Sequence, residues 1–316
     1  MTGALSPGRR PAHLARRSRP SLRSRLRRRP AQALQAVLFS RLVGAALLAV
    51  AGVTTLTAAV TDAVRGPQAE IAPPTGDLPS IAAAAYVVVD GETGEPLASF
   101  NADQPRPVAS LVKLMTARLV LDAGQLDHRV TVPPLQVADG ESQAGLEPGD
   151  QASRGELLEA MLVASANDAA RALAVDVAGS ERDFVRTMNA EAAEAGLDAT
   201  RYANPAGLDD PAQHSSAADV ARLAHDLVQD PAFRRIVAAE STTIDGSELP
   251  ATNDLLGAYP GADGLKTGHT DEAGWCIAAS ASRDGRRVVA VVLGAPTEQA
   301  RDGAARALLD YGFSVS

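Results

Sequence analysis

Two stretches of strand-like sequence, one near residue 85 and one beyond residue 240, limit what this chain can fold into. The first, "AAAAYVVVDGETGEPLASF", sets two β-type runs around a turn-forming "DGETGE", the signature of a hairpin. The second comprises "GLKTG", "WCIAASASRD" and "RRVVAVVLGA", with "RDGR" turning between the last two. From about 110 to 230 the spacing is helical instead, in "SLVKLMTARLVLDAG", "GELLEAMLVASANDAARALAVDVAG" and "SERDFVRTMNAEAAEAGL". A last helix is expected in "TEQARDGAARALLDYGF". Hairpins at both ends of a helical interval imply one sheet assembled from distant parts of the chain. The expected fold class is therefore α/β: a mainly antiparallel sheet flanked by helices, with a helical subdomain. Only 3% of residues are aromatic, so Ala, Val and Leu must supply the close-packed core.

Charge divides the chain sharply. Residues 1–61 hold eleven arginines and no acid, leaving 19 cations against all 38 acids in the remainder. An acidic body argues against nucleic-acid binding, which calls for a basic face. The basic run "RRPAHLARRSRPSLRSRLRRRP" precedes "LVGAALLAVAGVTTLTAAVT", residues 42–61, in which no residue is charged. Twenty residues at about 1.5 Å rise match a hydrocarbon core of roughly 30 Å. Arginine before this stretch and acid after it predict an inside N-terminus and an exported body. The expected order is an Arg-rich cytoplasmic segment (1–41), a transmembrane signal-anchor (42–61), a Pro- and Gly-rich linker (62–80) and a globular domain (81–316). The rival reading of 42–61 is a cleaved signal peptide, which would leave the body secreted; its apolar core is usually shorter and its basic region briefer.

The chain has 28 arginines and only two lysines, Lys113 and Lys266. Lysine is a compact charge whose pKa falls on burial, so it can act as a base where arginine cannot. Lys113 lies three residues after Ser110, and Pro107 shortly before marks a helix start, so the amine can reach the hydroxyl on one helical face. A serine needs such a base to become a nucleophile. The plainer alternative is a serine N-cap followed by a surface lysine. "VASANDAA" places Ser165 and Asn167 one residue apart, a pairing that on its own is common in turns and caps. "DGLKTGHT" puts Lys266, Thr267 and Gly268 in a strand, where a glycine permits close approach of another backbone that pairs with the strand edge.

Together S-x-x-K, S-x-N and K-T-G, in that order, are far more specific. With "NPAGLDDPAQHSSAADVARLA" and "GADGLKTGHTDEAGWCIAASA" they make residues 78–313 resemble the low-molecular-mass penicillin-binding proteins, the serine-type D-alanyl-D-alanine carboxypeptidases of peptidase family S11. The resemblance implies a β-lactamase/transpeptidase-like fold and removal of the terminal D-Ala from peptidoglycan stem peptides. Ser110 would form the acyl-enzyme, Lys113 would be its general base, and Ser165 would pass a proton to the leaving amine. Asn167 would hold the substrate amide. Lys266 would keep Lys113 deprotonated and, with Thr267 and Gly268, line the place of the terminal carboxylate. The backbone N–H groups of Ser110 and His269 would form the oxyanion hole. β-Lactams would acylate Ser110 as inhibitors, and no cofactor is implied. Many members of the family carry a β-rich second domain and a C-terminal amphipathic anchor; here membrane attachment is expected at the N-terminus instead.

Other candidates are weaker. His13, His128, His214, His225 and His269 show no close ligand pair with acidic support, so no metal is expected. Cys276, the single cysteine, can form no disulfide within the chain and reads as a small hydrophobe in a buried strand. Class A β-lactamases share the motifs but use an additional glutamate for deacylation. The corresponding region, "DATRYANPAGLDDP", has none, so fast lactam hydrolysis is not expected. A D,D-endopeptidase and a non-catalytic, membrane-tethered peptidoglycan-binding protein remain alternatives.

Overall fold

The computed structural model describes residues 78, 80–138 and 140–315. The expected cytoplasmic segment, the anchor and all but the last residues of the linker lie outside the described residues. Among the described residues no helix is long and apolar enough to cross a membrane.

The chain opens with the predicted hairpin, β1 (Ala85–Asp90) and β2 (Pro96–Phe100). Asp90 ties its turn, Oδ1 accepting from the backbone N–H groups of Glu92 and Thr93 at 2.9 Å each. A short 3-10 turn, Ala109–Val112, leads directly into α1 (Lys113–Ala123), and the small hairpin β3 (Arg129–Thr131) and β4 (Gln151–Ser153) follows. Then come α2 (Arg154–Val163), α3 (Asn167–Ala178), α4 (Glu181–Glu194), α5 (Ala217–Leu227) and α6 (Pro231–Val237). Local chemistry explains where several of them start. Ser153 and Glu156 form a reciprocal capping box at α2, while Ser180, Ser216 and Asp230 accept from backbone N–H groups at α4, α5 and α6. A second small hairpin, β5 (Ser241–Ile244) with β6 (Ser247–Pro250), precedes the long strands β7 (Ala262–Thr270), β8 (Gly274–Arg283) and β9 (Arg286–Ala295) and the closing helix α7 (Glu298–Ser314).

The five long strands form one sheet in the order β2-β1-β9-β8-β7, and every neighbouring pair is antiparallel. The two ends of the body thus meet at β1 and β9, where Val87 faces Val291. Both sheet faces are covered, which explains the unbroken apolar run in β9. Val289, Val291 and Leu293 enter the core shared with the helical region, while Val288, Ala290 and Val292 pack on the opposite side with Leu308 and Leu309 of α7. In α1, Leu114, Met115, Ala117 and Val120 are fully buried or nearly so, making it the central helix of the body. The hairpins β3–β4 and β5–β6 fall in and just after the interval read as helical. β3 and β4 have three residues each with one buried, too short for alternation to show. β7 is an edge strand, so among the described residues one side of its backbone carries no neighbouring strand.

Candidate active site

Ser110 sits in the 3-10 turn and Lys113 is the first residue of α1. Their three-residue spacing brings Lys113 Nζ to 2.8 Å from Ser110 Oγ. The turn needs Ala109 at φ 48°, a left-handed backbone. It rests on the "NPAGL" loop, where Asn204 Oδ1 accepts from the N–H groups of Ala206, Gly207 and Leu208 at 3.2, 2.8 and 3.1 Å. Gly207 is required there: a Cβ would stand 2.2 Å from Ala109 O. Held this way, Ala206 O lies 2.6 Å from Lys113 Nζ.

Asn167 begins α3, and its Oδ1 is 2.7 Å from the same amine. Lys113 is fully buried, and its pKa is held well below the ordinary lysine value. Burial is the main cause, followed by the charge of Lys266; Glu141 and Asp168 oppose the shift. A neutral amine has two N–H bonds and one lone pair. Asn167 Oδ1 and Ala206 O can only accept, so in the neutral form they would take both N–H bonds and leave the lone pair for the Ser110 hydroxyl, whose other neighbour is Ala206 O at 3.5 Å. That is the arrangement a general base needs.

Lys266, Thr267 and Gly268 lie in β7, as expected from the sequence. Lys266 is buried, donates to Thr267 O at 2.9 Å, and is pushed down to about 7, first by burial and then by the Arg301 guanidinium. The Thr267 hydroxyl shares a 2.6 Å hydrogen bond with Thr252. Gly268 packs against the serine turn, where a Cβ would be 2.9 Å from Ser110 N and 3.2 Å from Val108 O. The His269 side chain is exposed and stacks on Trp275, with 4.1 Å between ring centroids. Ser165 is buried between α2 and α3 at φ 63°, turning the chain so that Asn167 can start the next helix. Among the described residues no hydrogen bond joins its hydroxyl to either lysine.

Ser110, Lys113 and Asn167 are thus one hydrogen-bonded cluster, flanked by the edge strand with Lys266–Gly268. Three further groups escaped the sequence reading. Glu141 reaches Asn167 Nδ2 at 2.8 Å from the β3–β4 connection. Asp168 accepts from the N–H groups of Ala144, Gly145 and Leu146 at 3.0 Å, docking that connection on α3. Arg301, only 2% exposed, stands 5.4 Å from the Trp275 ring centroid. A buried arginine in a helix and two acids in or beside a loop carry no local pattern that would mark them. Cys276 is buried in β8 and its thiol is pushed up to about 11 by burial, as suits a packing residue.

A serine hydrogen-bonded to a buried lysine beside an edge strand is an arrangement that can support acyl transfer. The family model for D-alanyl-D-alanine carboxypeptidases matches residues 71–297, and the chain belongs to this family. It is 36% identical over 238 residues to the D-alanyl-D-alanine carboxypeptidase DacF of Bacillus subtilis, covering 72% of this chain and 61% of that protein. The chain therefore spans about three-fifths of that relative's length. Among solved structures it is similar to penicillin-binding protein 6B of Escherichia coli, with a TM-score of 0.72 and 38% identity over 76% of this chain and 80% of that one. It is also similar to penicillin-binding protein D2 of Listeria monocytogenes in its cefotaxime-bound form, with a TM-score of 0.68 and 36% identity over 74% and 98%.

Proposed function

We propose that this chain is a serine D,D-carboxypeptidase that trims the terminal D-Ala from peptidoglycan stem peptides. The observation that carries the reading is the position of Lys113 Nζ, 2.8 Å from Ser110 Oγ and within 2.7 and 2.6 Å of the acceptors Asn167 Oδ1 and Ala206 O, so that the amine in its neutral form keeps its lone pair for Ser110. In the first step Ser110 Oγ bonds to the carbonyl carbon of the penultimate D-Ala and its proton passes to Lys113 Nζ. The oxyanion is taken by the N–H groups of Ser110 and His269. The C–N bond then breaks, a proton reaches the leaving amine by way of Ser165, and free D-Ala departs. Water adds to the ester, and its cleavage returns Ser110 and the shortened peptide.

The other site residues have supporting parts. Asn167 holds the substrate amide, while Lys266 keeps Lys113 deprotonated and, with Thr267 and Gly268, receives the terminal carboxylate. The substrate backbone pairs with the open edge of β7. A β-lactam carbonyl enters the same place and acylates Ser110, as the cefotaxime-bound form of the Listeria protein suggests by analogy. Residues 42–61 anchor the chain with its N-terminus inside and the catalytic domain, 81–316, outside the membrane.

The test is the intact mass of the detergent-solubilised full chain, followed over time with excess benzylpenicillin and paired with a D-Ala release assay on a stem pentapeptide. A lasting adduct on Ser110 with D-Ala release is expected. Drug consumed without a lasting adduct would mean a β-lactamase. No adduct with the drug intact would mean a non-catalytic binder. Cleavage of cross-linked dimers alone would mean an endopeptidase.

A further inference from the structure

Asn167 can present either side of its amide to Lys113, and only one of them leaves the lysine a base. With Oδ1 toward the amine, Lys113 donates and its lone pair stays with Ser110. With Nδ2 toward it, the lone pair would be drawn to the amide instead. The choice is made on the far side of Asn167, where Glu141 Oε2 receives Nδ2–H at 2.8 Å. An ionised carboxylate can only accept, so it selects the productive face.

Glu141 is itself well held. Its side chain is 12% exposed, and its Oε1 accepts from the N–H of Ala138 at 3.0 Å and lies 3.9 Å from the Arg171 guanidinium. The next residue binds the same helix start, with Ser142 O accepting from the N–H of Asn167 at 2.8 Å. Main chain and side chain of this loop therefore grip one asparagine from two directions.

We infer that Glu141 is a positioning residue for the general base, holding the Asn167 amide with its Oδ1 toward Lys113. This rests on the proposed acyl-transfer reading. The charged groups acting on Lys113 come from three elements: Lys266 on β7, Asp168 and Arg171 on α3, and Glu141 on the loop. Among them Glu141 and Asp168 favour the ammonium form, and Lys266 and Arg171 oppose it. Removing the Glu141 charge therefore lowers the Lys113 pKa and moves the acid limb of acylation to lower pH.

Because the chain has only two lysines, it offers a direct readout. Lysine labelled with 13C at Cε gives two signals in the detergent-solubilised full chain, assigned with Lys266→Arg. The midpoint for Lys113 is measured in the unaltered chain, Glu141→Gln and Glu141→Ala, alongside the pH profile of acylation by a fluorescent penicillin. Glutamine still accepts from Nδ2 but carries no charge; alanine does neither. Both variants should lower the Lys113 midpoint. Glu141→Ala should also lose on the order of tenfold or more in acylation rate at the optimum, as expected for a displaced base, and Glu141→Gln should recover most of that loss. An unchanged Lys113 midpoint in both variants overturns the inference, even if Glu141→Ala slows acylation, because Glu141 would then only anchor its loop. If the unaltered chain is not acylated at all, the acyl-transfer reading fails separately, and the lysine titration still decides what Glu141 does to Lys113.

Discussion

Replacing Gly268 with alanine should damage catalysis more than it damages the fold. A Cβ at this position would stand 2.9 Å from Ser110 N, 3.1 Å from Ala109 Cβ and 3.2 Å from Val108 O, against ordinary contacts of 3.4–4 Å. All three atoms belong to the serine turn or the residue that enters it. That turn has no room to retreat, since a Cβ on Gly207 would lie 2.8 Å from Ser110 N on the same turn. Relief requires the turn and β7 to separate by about half an ångström, on the scale at which a displaced reacting group costs on the order of tenfold to a hundredfold in rate. That is about 1.4–2.7 kcal/mol of barrier. Overpacking should cost stability by about 1–3 kcal/mol. The assay is the second-order rate of Ser110 acylation by a fluorescent penicillin, with circular dichroism and a thermal melt on the same samples. Gly303→Ala is the control: the site is exposed in α7 with nothing within 4 Å of the added carbon, so it should gain roughly 0.8–1 kcal/mol of stability and acylate normally. A folded Gly268→Ala protein that acylates at the unaltered rate would refute the close fit between strand and serine turn.

Lys113→Arg should abolish acylation, because a guanidinium cannot take the serine proton; retained labelling with penicillin would remove Lys113 from the base role. Lys266→Arg keeps the charge beside Lys113 and should slow acylation less than Lys113→Arg does, and an equal loss would mean that the shape of the ammonium matters more than its field. A reporter that functions only outside the cytoplasm, fused after Ser316, should be active; activity from a cytoplasm-only reporter at the same position would reverse the proposed topology.

The parts of this fold that could be read in advance are those whose cause is local. The turn sequences "DGETGE" and "RDGR" sit inside the two hairpins they predicted, and the apolar run "RRVVAVVLGA" is the strand β9. Ser110 and Lys113 could be paired because a helical turn joins them; Lys266 could be added because lysine is rare here. A background of 28 arginines made both lysines conspicuous. Glutamate has no such background in a chain with 38 acids, so Glu141 stood out from nothing. Its position follows from long-range closure: Asp168 draws in the N–H groups of residues 144–146, the loop folds onto α3, and only then does a carboxylate 26 residues away in sequence meet the Asn167 amide. The same logic applies to Ala206, a residue with no side-chain chemistry. It serves the site through a carbonyl aimed by Asn204 and by a glycine that lets the backbones touch. Motif reading finds the groups that change protonation; the groups that decide which lone pair faces which hydroxyl are set by loops, whose hydrogen bonds leave no period in the sequence.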